Sequence, residues 1–140
     1  TLLSKERYIL DKFQTKRDPK PIVEDIEQWI TDYQNKHGVL FGDEQKEAIK
    51  LANLGLPIFS VSGFAGTGKT TVSRAILALL TQDVSSHDVV CLAIAGIAAN
   101  RVKDKSGFDG KTIHSALGFN GTGYNFNEKN PLPHRIVLLD

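Results

Sequence analysis

The sequence is poor in the features that mark disulfide-bonded, metal-stabilised and membrane-spanning proteins. Its single cysteine, Cys91, excludes a disulfide framework, and its four histidines are too far apart to suggest a local metal site. The longest nearly apolar run, Val89 to Ala99, is well short of the ~20 residues that cross a bilayer. The first residues also lack the pattern of a signal peptide. We therefore expect a soluble, cytoplasmic protein with no membrane partner and no structural metal.

A strong charge of either sign is also missing. The 140 residues have a net charge of +1, which by itself neither favours nor excludes nucleic acid as a partner. Four basic residues do cluster beside two aspartates: Arg101, Lys103, Lys105 and Lys111. A solvated helix end and loop would produce the same cluster, and charge alone favours that interpretation. With 41% hydrophobic and 24% charged residues, the composition is that of one ordinary globular domain.

The most informative stretch is residues 63–70, which has the glycine spacing and the terminal Lys-Thr pair of a phosphate-binding loop. Its glycines allow backbone N–H groups to converge on phosphate oxygens. We expect the Lys69 ammonium to contact the β- and γ-phosphates and the Thr70 hydroxyl to bind Mg²⁺. The predicted triphosphate-binding residues are Gly63, Phe64, Ala65, Gly66, Thr67, Gly68, Lys69, Thr70 and Thr71.

The context of this loop agrees with that interpretation. A phosphate-binding loop follows a buried strand and opens a helix, and here an apolar stretch at 58–62 precedes it, while residues 71–80 follow with apolar side chains at helical spacing. A simple glycine-rich turn between strand and helix is the alternative. The full match in this context favours nucleotide binding.

The remaining pattern predicts a three-layer α/β sandwich with a parallel sheet and helices on both faces. We expect strands near 57–62, 88–94 and 135–139 and a turn-rich segment over 120–133. The predicted helices lie at 2–16, 22–36, 44–53, 71–80, 96–102 and 112–117. A sheet of three strands leaves edges and apolar surface open, so we expect the isolated chain to be marginally stable or to associate.

Two further residues fit a nucleotide site. Asp140 follows four bulky apolar residues, as when a buried parallel strand delivers a carboxylate to Mg²⁺. Gln45 lies near the start of a predicted helix, where its amide can both donate to and accept from an adenine edge. An isolated exposed glutamine on a helix is more often simply solvated. Gln45 and Asp140 therefore indicate a nucleotide site only in combination with the predicted phosphate loop.

Four elements occur in order: Gln45, the loop at 63–70, the block 93–99 with Thr112-Ile113-His114, and Leu138-Leu139-Asp140. This order resembles the first motor domain of superfamily-one DNA helicases, in particular the RecD/Dda-like branch that moves 5′ to 3′. The resemblance covers about residues 39–140. It implies an incomplete P-loop NTPase (RecA-like) sheet, ATP and Mg²⁺ as cofactors, and single-stranded DNA as partner.

The resemblance also implies roles for individual residues. Gln45 would read adenine, Lys69 and Thr70 would hold phosphate and Mg²⁺, and Asp140 would be the metal-organising Walker B aspartate. Hydrogen bonds to phosphate oxygens position a strand without reading its sequence, which suits a translocating motor. The residues implied to line the DNA path are Gly96, Arg101, Lys103, Thr112 and His114.

The chain departs from the family pattern in two places. Ala95 stands where family members usually have a hydroxyl residue, so one phosphate contact is missing. The sequence ends at Asp140, before the water-activating glutamate, the arginines and the second motor domain that the resemblance implies. We expect a fragment that binds ATP without hydrolysing it efficiently. It would consist of a helical N-terminal extension at 1–38 and a P-loop NTPase domain at 39–140, truncated at the Walker B aspartate.

Two other functions remain open at this point. The same glycine-rich loop occurs in small-molecule kinases, where the Gln45 segment and Thr112-Ile113-His114 have no role. A non-catalytic, nucleotide-dependent adaptor would need neither the glutamate nor the arginines. Phosphate transfer to a metabolite without DNA would favour the kinase, and a longer sequence with no glutamate after Asp140 would favour the adaptor.

Overall fold

A computed structural model describes residues 4–5, 7–8, 11, 20–56, 58, 60–63 and 68–139. The chain divides into two compact units, Thr1–Val72 and Ser73–Asp140, and each is described by itself. The described residues between 4 and 11 are helical, and the rest of the predicted helix 2–16 lies outside the described residues. The first unit contains helices α1 (Ile26–His37) and α2 (Asp43–Asn53) and the first turn of α3 (Lys69–Leu80).

Helix α1 begins and ends at well-formed caps. The Asp25 side chain accepts a hydrogen bond from Gln28 N–H, 3.0 Å, so the helix starts four residues later than the predicted position 22. Gly38 ends it in the left-handed conformation, with φ of 62°, as expected for a glycine at this position. Trp29, Tyr33 and His37 stack along one side of the helix.

Helices α1 and α2 lie in contact, and each has a buried isoleucine, Ile30 in α1 and Ile49 in α2. Lys50 forms ion pairs with Glu27 of α1 and Glu47 of its own helix, and hydrogen bonds to both carboxylates raise the pKa of this exposed ammonium. Asn53 is buried and makes three side-chain hydrogen bonds to the backbone of residues 22 and 23. The segment before α1 is therefore fastened to the end of α2.

The second unit contains a three-stranded parallel sheet in the order β2-β1-β3. Strand β1 is Val89–Ala93, β2 is Gly110–Thr112 and β3 is Ile136–Leu139. Cys91 lies opposite Gly110 on one side and Leu138 on the other. Between the strands lie α4 (Gly96–Ser106) and α5 (Ile113–Leu117), and a 3₁₀ turn (Ser86–Asp88) precedes β1.

Both faces of β1 are buried, as expected for the central strand of a parallel sheet. On one face Val89 and Cys91 pack with Leu77 of α3, Val84, Phe108 and the inward residues of β3. On the other face Val90 and Leu92 pack with Ala116 and Ile113 of α5. Burial raises the pKa of the Cys91 thiol. A hydrogen bond with the Ser106 hydroxyl acts in the opposite direction but has the smaller effect. Cys91 is therefore a small hydrophobic residue of the core.

The parallel α/β architecture is confirmed, but one strand differs from the prediction. The described residues of 57–62 are not in a strand. The third strand is β2, which is only three residues long and lies where no strand was predicted. Because β2 and β3 pair with both edges of β1, no position beside β1 is open to another strand. The turn-rich segment after α5 is a hydrogen-bonded hairpin.

Candidate functional site

The end of the predicted phosphate loop opens helix α3. Gly68 is left-handed, with φ of 78°, and its carbonyl accepts a hydrogen bond from Val72 N–H, 3.1 Å. Lys69 and Thr70 therefore occupy the first turn of α3, where both are exposed, and Thr71 is half-buried. A helix N-terminus of this kind favours an anion. The middle of the loop, from Phe64 to Thr67 and including Ala65 and Gly66, lies outside the described residues.

Gln45 connects the start of α2 to this loop. Its Oε1 accepts a hydrogen bond from the backbone N–H of Gly42, 2.9 Å, and so caps its own helix. Its Nε2 lies 2.5 Å from the position that a Cβ atom on Gly68 would take. The two residues are 23 positions apart in sequence but in contact in the structure. The residue predicted to read adenine thus lies against the predicted phosphate loop.

The hydrogen bond to Gly42 affects what Gln45 can offer to a nucleotide. A side-chain amide oxygen has two lone pairs, and the backbone of Gly42 uses one of them. The amide nitrogen of the same side chain carries hydrogens, so the group combines an acceptor with a donor. The cap also holds the amide in place before any ligand binds. The predicted contact with an adenine edge is compatible with this geometry and stays a prediction.

The first predicted DNA segment forms the start of helix α4. Ala95 is its N-cap, in extended conformation with φ of −110° and ψ of 147°, and makes no side-chain capping bond. A serine or threonine here would cap the helix with its hydroxyl. Gly96 is exposed, and a Cβ atom added to it would contact nothing within 4 Å. The missing hydroxyl noted in the sequence therefore also leaves α4 without a side-chain cap.

Arg101 and Lys103 lie further along the same helix, and both are exposed. The Lys103 ammonium is 3.6 Å from an Asp109 carboxylate oxygen, in an ion pair open to solvent. Helix α4 lies so close to β2 that a Cβ atom on Gly110 would collide with the backbone carbonyl of Ala99. The absence of a side chain at Gly110 therefore sets how closely the helix approaches the strand.

Thr112 is the N-cap of α5, and its Oγ1 accepts a hydrogen bond from Ser115 N–H, 3.1 Å. This bond uses an acceptor lone pair, so the hydroxyl hydrogen remains for a phosphate oxygen, which can only accept. His114, two residues further on, is exposed. Gly96, Arg101, Lys103, Thr112 and His114 all belong to the second unit, whereas the described nucleotide residues belong to the first. Asp140 lies outside the described residues.

The structure also reveals two exposed aromatic residues that the sequence reading missed. Phe119 and Tyr124 are 52% and 41% exposed, and their rings pack against each other and against His114. A signal for them exists in the sequence, because Asn-Gly between two aromatic residues is typical of a hairpin turn. The sequence analysis predicted a turn-rich segment over 120–133 but no hairpin at this Asn-Gly pair.

A cavity of about 360 Å³ lies at the other end of the sheet. It is lined by residues at the amino ends of the strands, among them Val89, Asp109 and His134, and His134 Nδ1 is buried there without a hydrogen-bond partner. Ligands of open α/β sheets bind beyond the carboxyl ends of the strands. None of the predicted site residues lines this cavity, and it is not the candidate site.

Every helix among the described residues is too short or too polar to span a bilayer. In the same part of the chain, no group of three or more histidine, cysteine, aspartate and glutamate side chains is arranged to hold a metal ion.

Comparison with known proteins assigns the class. The model of the AAA domain family matches residues 45–140, so the chain belongs to that family, which binds nucleotides. The match begins at Gln45 and includes the predicted phosphate loop. Among individual proteins, the chain is similar to the ATP-dependent RecD2 DNA helicase of Deinococcus radiodurans, with 31% identity over 80 residues. That alignment covers 57% of this chain and 11% of the relative. The RecD-like resemblance is confirmed.

Proposed function

We propose that this chain is the ATP-binding part of a DNA motor, which couples Mg-ATP hydrolysis to movement along single-stranded DNA. The observation that carries the proposal is the packing of Gln45 against Gly68, directly before the exposed Lys69 and Thr70. A residue suited to adenine is thereby held beside residues suited to phosphate and metal. The similarity to a DNA helicase supports the nucleic-acid half of the proposal.

In the nucleotide site, Lys69 places its ammonium on the β- and γ-phosphates, and the backbone from Gly63 to Gly68 provides N–H donors. Mg²⁺ suits the site because Thr70 offers an exposed hydroxyl oxygen, and oxygen atoms are the ligands that this ion takes. The bound ion neutralises charge on the phosphates. Asp140 is the proposed second protein group at the metal, and Thr71 adds a hydroxyl at the α-phosphate.

On the nucleic-acid side, the hydroxyl of Thr112 donates to a backbone phosphate while its lone pair keeps α5 capped. Arg101, Lys103 and His114 are exposed and provide basic or polar contacts, and Gly96 allows close approach of the strand. These contacts are made to the DNA backbone and not to the bases, so they permit movement along any sequence. The ion pair of Lys103 with Asp109 is exposed and of low energy, so phosphate can compete for it.

We further propose that residues 39–140 form the nucleotide-binding domain and residues 1–38 a helical extension. A helicase cycle requires two motor domains that close on ATP and open after hydrolysis. The 140 residues by themselves are therefore proposed to bind ATP without efficient turnover. Phosphate transfer to a small metabolite in the absence of DNA would instead support the kinase alternative.

The test uses the full-length protein. Lys69→Ala removes the proposed phosphate contact and should abolish ATP hydrolysis stimulated by single-stranded DNA. Lys36→Ala is a suitable control, because Lys36 is an exposed lysine in the last turn of α1 and should leave hydrolysis unchanged. Undiminished hydrolysis by the Lys69→Ala protein would refute the proposal.

A further inference from the structure

Gln34, in the last turn of α1, holds the connection between α1 and α2, residues 38–42. Its side-chain Oε1 accepts a hydrogen bond from Phe41 N–H, 2.8 Å. Its backbone carbonyl accepts from Gly38 N–H and, at 3.1 Å, from Val39 N–H. Gln34 is half-buried. Three backbone N–H groups of the connection therefore donate to this one residue of α1.

The side chain of Phe41 is held by the same helix. Phe41 is only 4% exposed, and its ring stacks on that of Tyr33, with centroids 6.0 Å apart and planes at 23°. Tyr33 directly precedes Gln34 in α1. The neighbouring Leu40, by contrast, is 87% exposed. Contacts of α1 with Phe41 therefore fix the position from which the chain enters α2.

The contacts continue from Phe41 to the predicted phosphate loop. Phe41 is followed by Gly42, whose N–H donates to Gln45 Oε1, 2.9 Å. The amide nitrogen of Gln45 packs against Gly68, the last glycine of that loop. All of these residues belong to the first unit. A continuous set of contacts thus leads from Gln34 in α1 to the start of α3.

We propose that Gln34 is a positioning residue of the nucleotide site, which fixes the amide of Gln45 through Phe41 and Gly42. The proposal rests on the proposed function, in which Gln45 contacts adenine. A glutamine side chain loses considerable rotamer freedom when it is ordered, and affinity rises when that ordering is complete before the ligand binds. Helix α1 precedes residues 45–140, the part that belongs to the family, so α1 would support adenine recognition from outside it.

The hydrogen bonds of Gln34 distinguish this role from termination of α1. Gly38 ends the helix in the left-handed conformation, and the orphan carbonyl of Gln34 is already satisfied by Gly38 and Val39. Ending the helix therefore does not require the side chain of Gln34. That side chain instead reaches seven residues along the chain, to the residue before the one that donates to Gln45.

The experiment compares two ligands of the full-length protein in the absence of DNA, Mg-ATP and Mg-tripolyphosphate, which has the phosphates without the nucleoside. Isothermal titration calorimetry gives both affinities, and their ratio is the nucleoside preference. Gln34→Leu is similar in size but has no acceptor oxygen. It should lower the nucleoside preference about 2- to 10-fold, the effect of one neutral hydrogen bond, without changing the affinity for tripolyphosphate. An unchanged preference, including equal weakening of both ligands, would overturn the proposal.

Two single variants separate positioning from a general effect on α1. Gln34→Glu keeps an acceptor oxygen and should retain the nucleoside preference of the wild type. Gln28→Leu removes an exposed glutamine of the same helix, whose side chain donates to Asp32, and should leave both affinities unchanged. Loss of the preference in Gln34→Glu or in Gln28→Leu as large as in Gln34→Leu would contradict the role of the Gln34 oxygen.

A double variant tests whether Gln34 acts through Gln45. In the Gln45→Ala protein the amide that Gln34 positions is absent, so adding Gln34→Leu should lower the nucleoside preference no further. A further loss as large as that caused by Gln34→Leu in the wild type would show that Gln34 acts by another route, and the proposal would fail.

The wild-type protein distinguishes this proposal from the function on which it rests. Binding of neither ligand would refute the nucleotide site itself. Equal affinity for both ligands would refute the adenine contact of Gln45, and with it the positioning role of Gln34. A wild type that prefers ATP, together with a Gln34→Leu protein of the same preference, would overturn the role of Gln34 alone.

Discussion

The side-chain nitrogen of Gln45 fills the space that a Cβ atom on Gly68 would need, at 2.5 Å from its position. The oxygen of the same amide caps helix α2 through Gly42. One side chain therefore both caps a helix N-terminus and packs against the last glycine of the predicted phosphate loop. A side chain at Gly68 is disfavoured by its φ of 78°, and a Cβ atom there would also have to displace the amide of Gln45.

We predict that Gly68→Ala destabilises the protein more than Gly107→Ala. Both glycines have φ of 78°, but nothing lies within 4 Å of a Cβ atom on Gly107. Gly107→Ala should therefore cost only the left-handed penalty, about 1–2 kcal/mol, whereas Gly68→Ala must also displace the amide of Gln45. Urea denaturation of the two variants measures the difference. Equal losses would show that the contact with Gln45 has no energetic effect.

We predict that the Ala95→Thr substitution stabilises helix α4. Ala95 already has the extended backbone of an N-cap but no oxygen to accept a hydrogen bond, and a capping hydroxyl contributes about 1 kcal/mol. Ala95→Val has nearly the same shape without the oxygen and serves as the matched control. Thermal unfolding should therefore rank Ala95→Thr above both wild type and Ala95→Val. A valine variant as stable as the threonine variant would contradict capping.

We predict that Gly110→Ala loosens the contact between α4 and β2. The new Cβ atom would collide with the Ala99 carbonyl and lie 3.2 Å from Lys103 Cβ, and such overpacking costs about 1–3 kcal/mol. Gly123→Ala is the control, because a Cβ atom there meets nothing within 4 Å. The free energy of unfolding should fall for Gly110→Ala alone. A Gly110→Ala protein with wild-type stability would mean that α4 can shift without cost.

We predict that Asn53→Ala releases the segment before α1. Asn53 is 6% exposed; it accepts from Val23 N–H, 2.9 Å, and donates to the Val23 carbonyl, 3.0 Å. Losing these bonds leaves Val23 unpaired in a partly buried place, at a cost of about 1–3 kcal/mol. Hydrogen exchange at the Val23 amide should accelerate. Asn100→Ala, at an exposed position of α4, should change neither stability nor exchange there.

Several elements were predictable because their signals are local. The helices α1 and α2 follow from apolar spacing and from caps at Asp25, Gly38 and Gly42, and their observed bounds differ from prediction by a few residues. Strands β1 and β3 follow from runs of bulky apolar residues. Only β1 is buried on both faces, because Val137 and Leu139 of β3 are exposed. The parallel α/β class and the RecD-like resemblance required nothing beyond these signals and the order of the motifs.

Strand β2 was not predictable in the same way. The three residues from Gly110 to Thr112 are too few to show a hydrophobic periodicity. They form a strand only because they pair with the backbone of β1 through hydrogen bonds. The predicted strand at 57–62 shows the reverse, since apolar residues at strand spacing form no ladder in its described part. Strand formation depends on a partner, and partners are distant in sequence.

The sequence by itself determined that residues 63–70 have the pattern of a phosphate-binding loop, because that pattern consists of glycines and a Lys-Thr pair within eight adjacent positions. Only the tertiary structure decided that Gln45 lies on Gly68 and that His114, Phe119 and Tyr124 form one exposed surface. The reason is physical. Residue type and spacing set what a local backbone can bind, whereas contacts across a hairpin or between helices depend on how the chain packs.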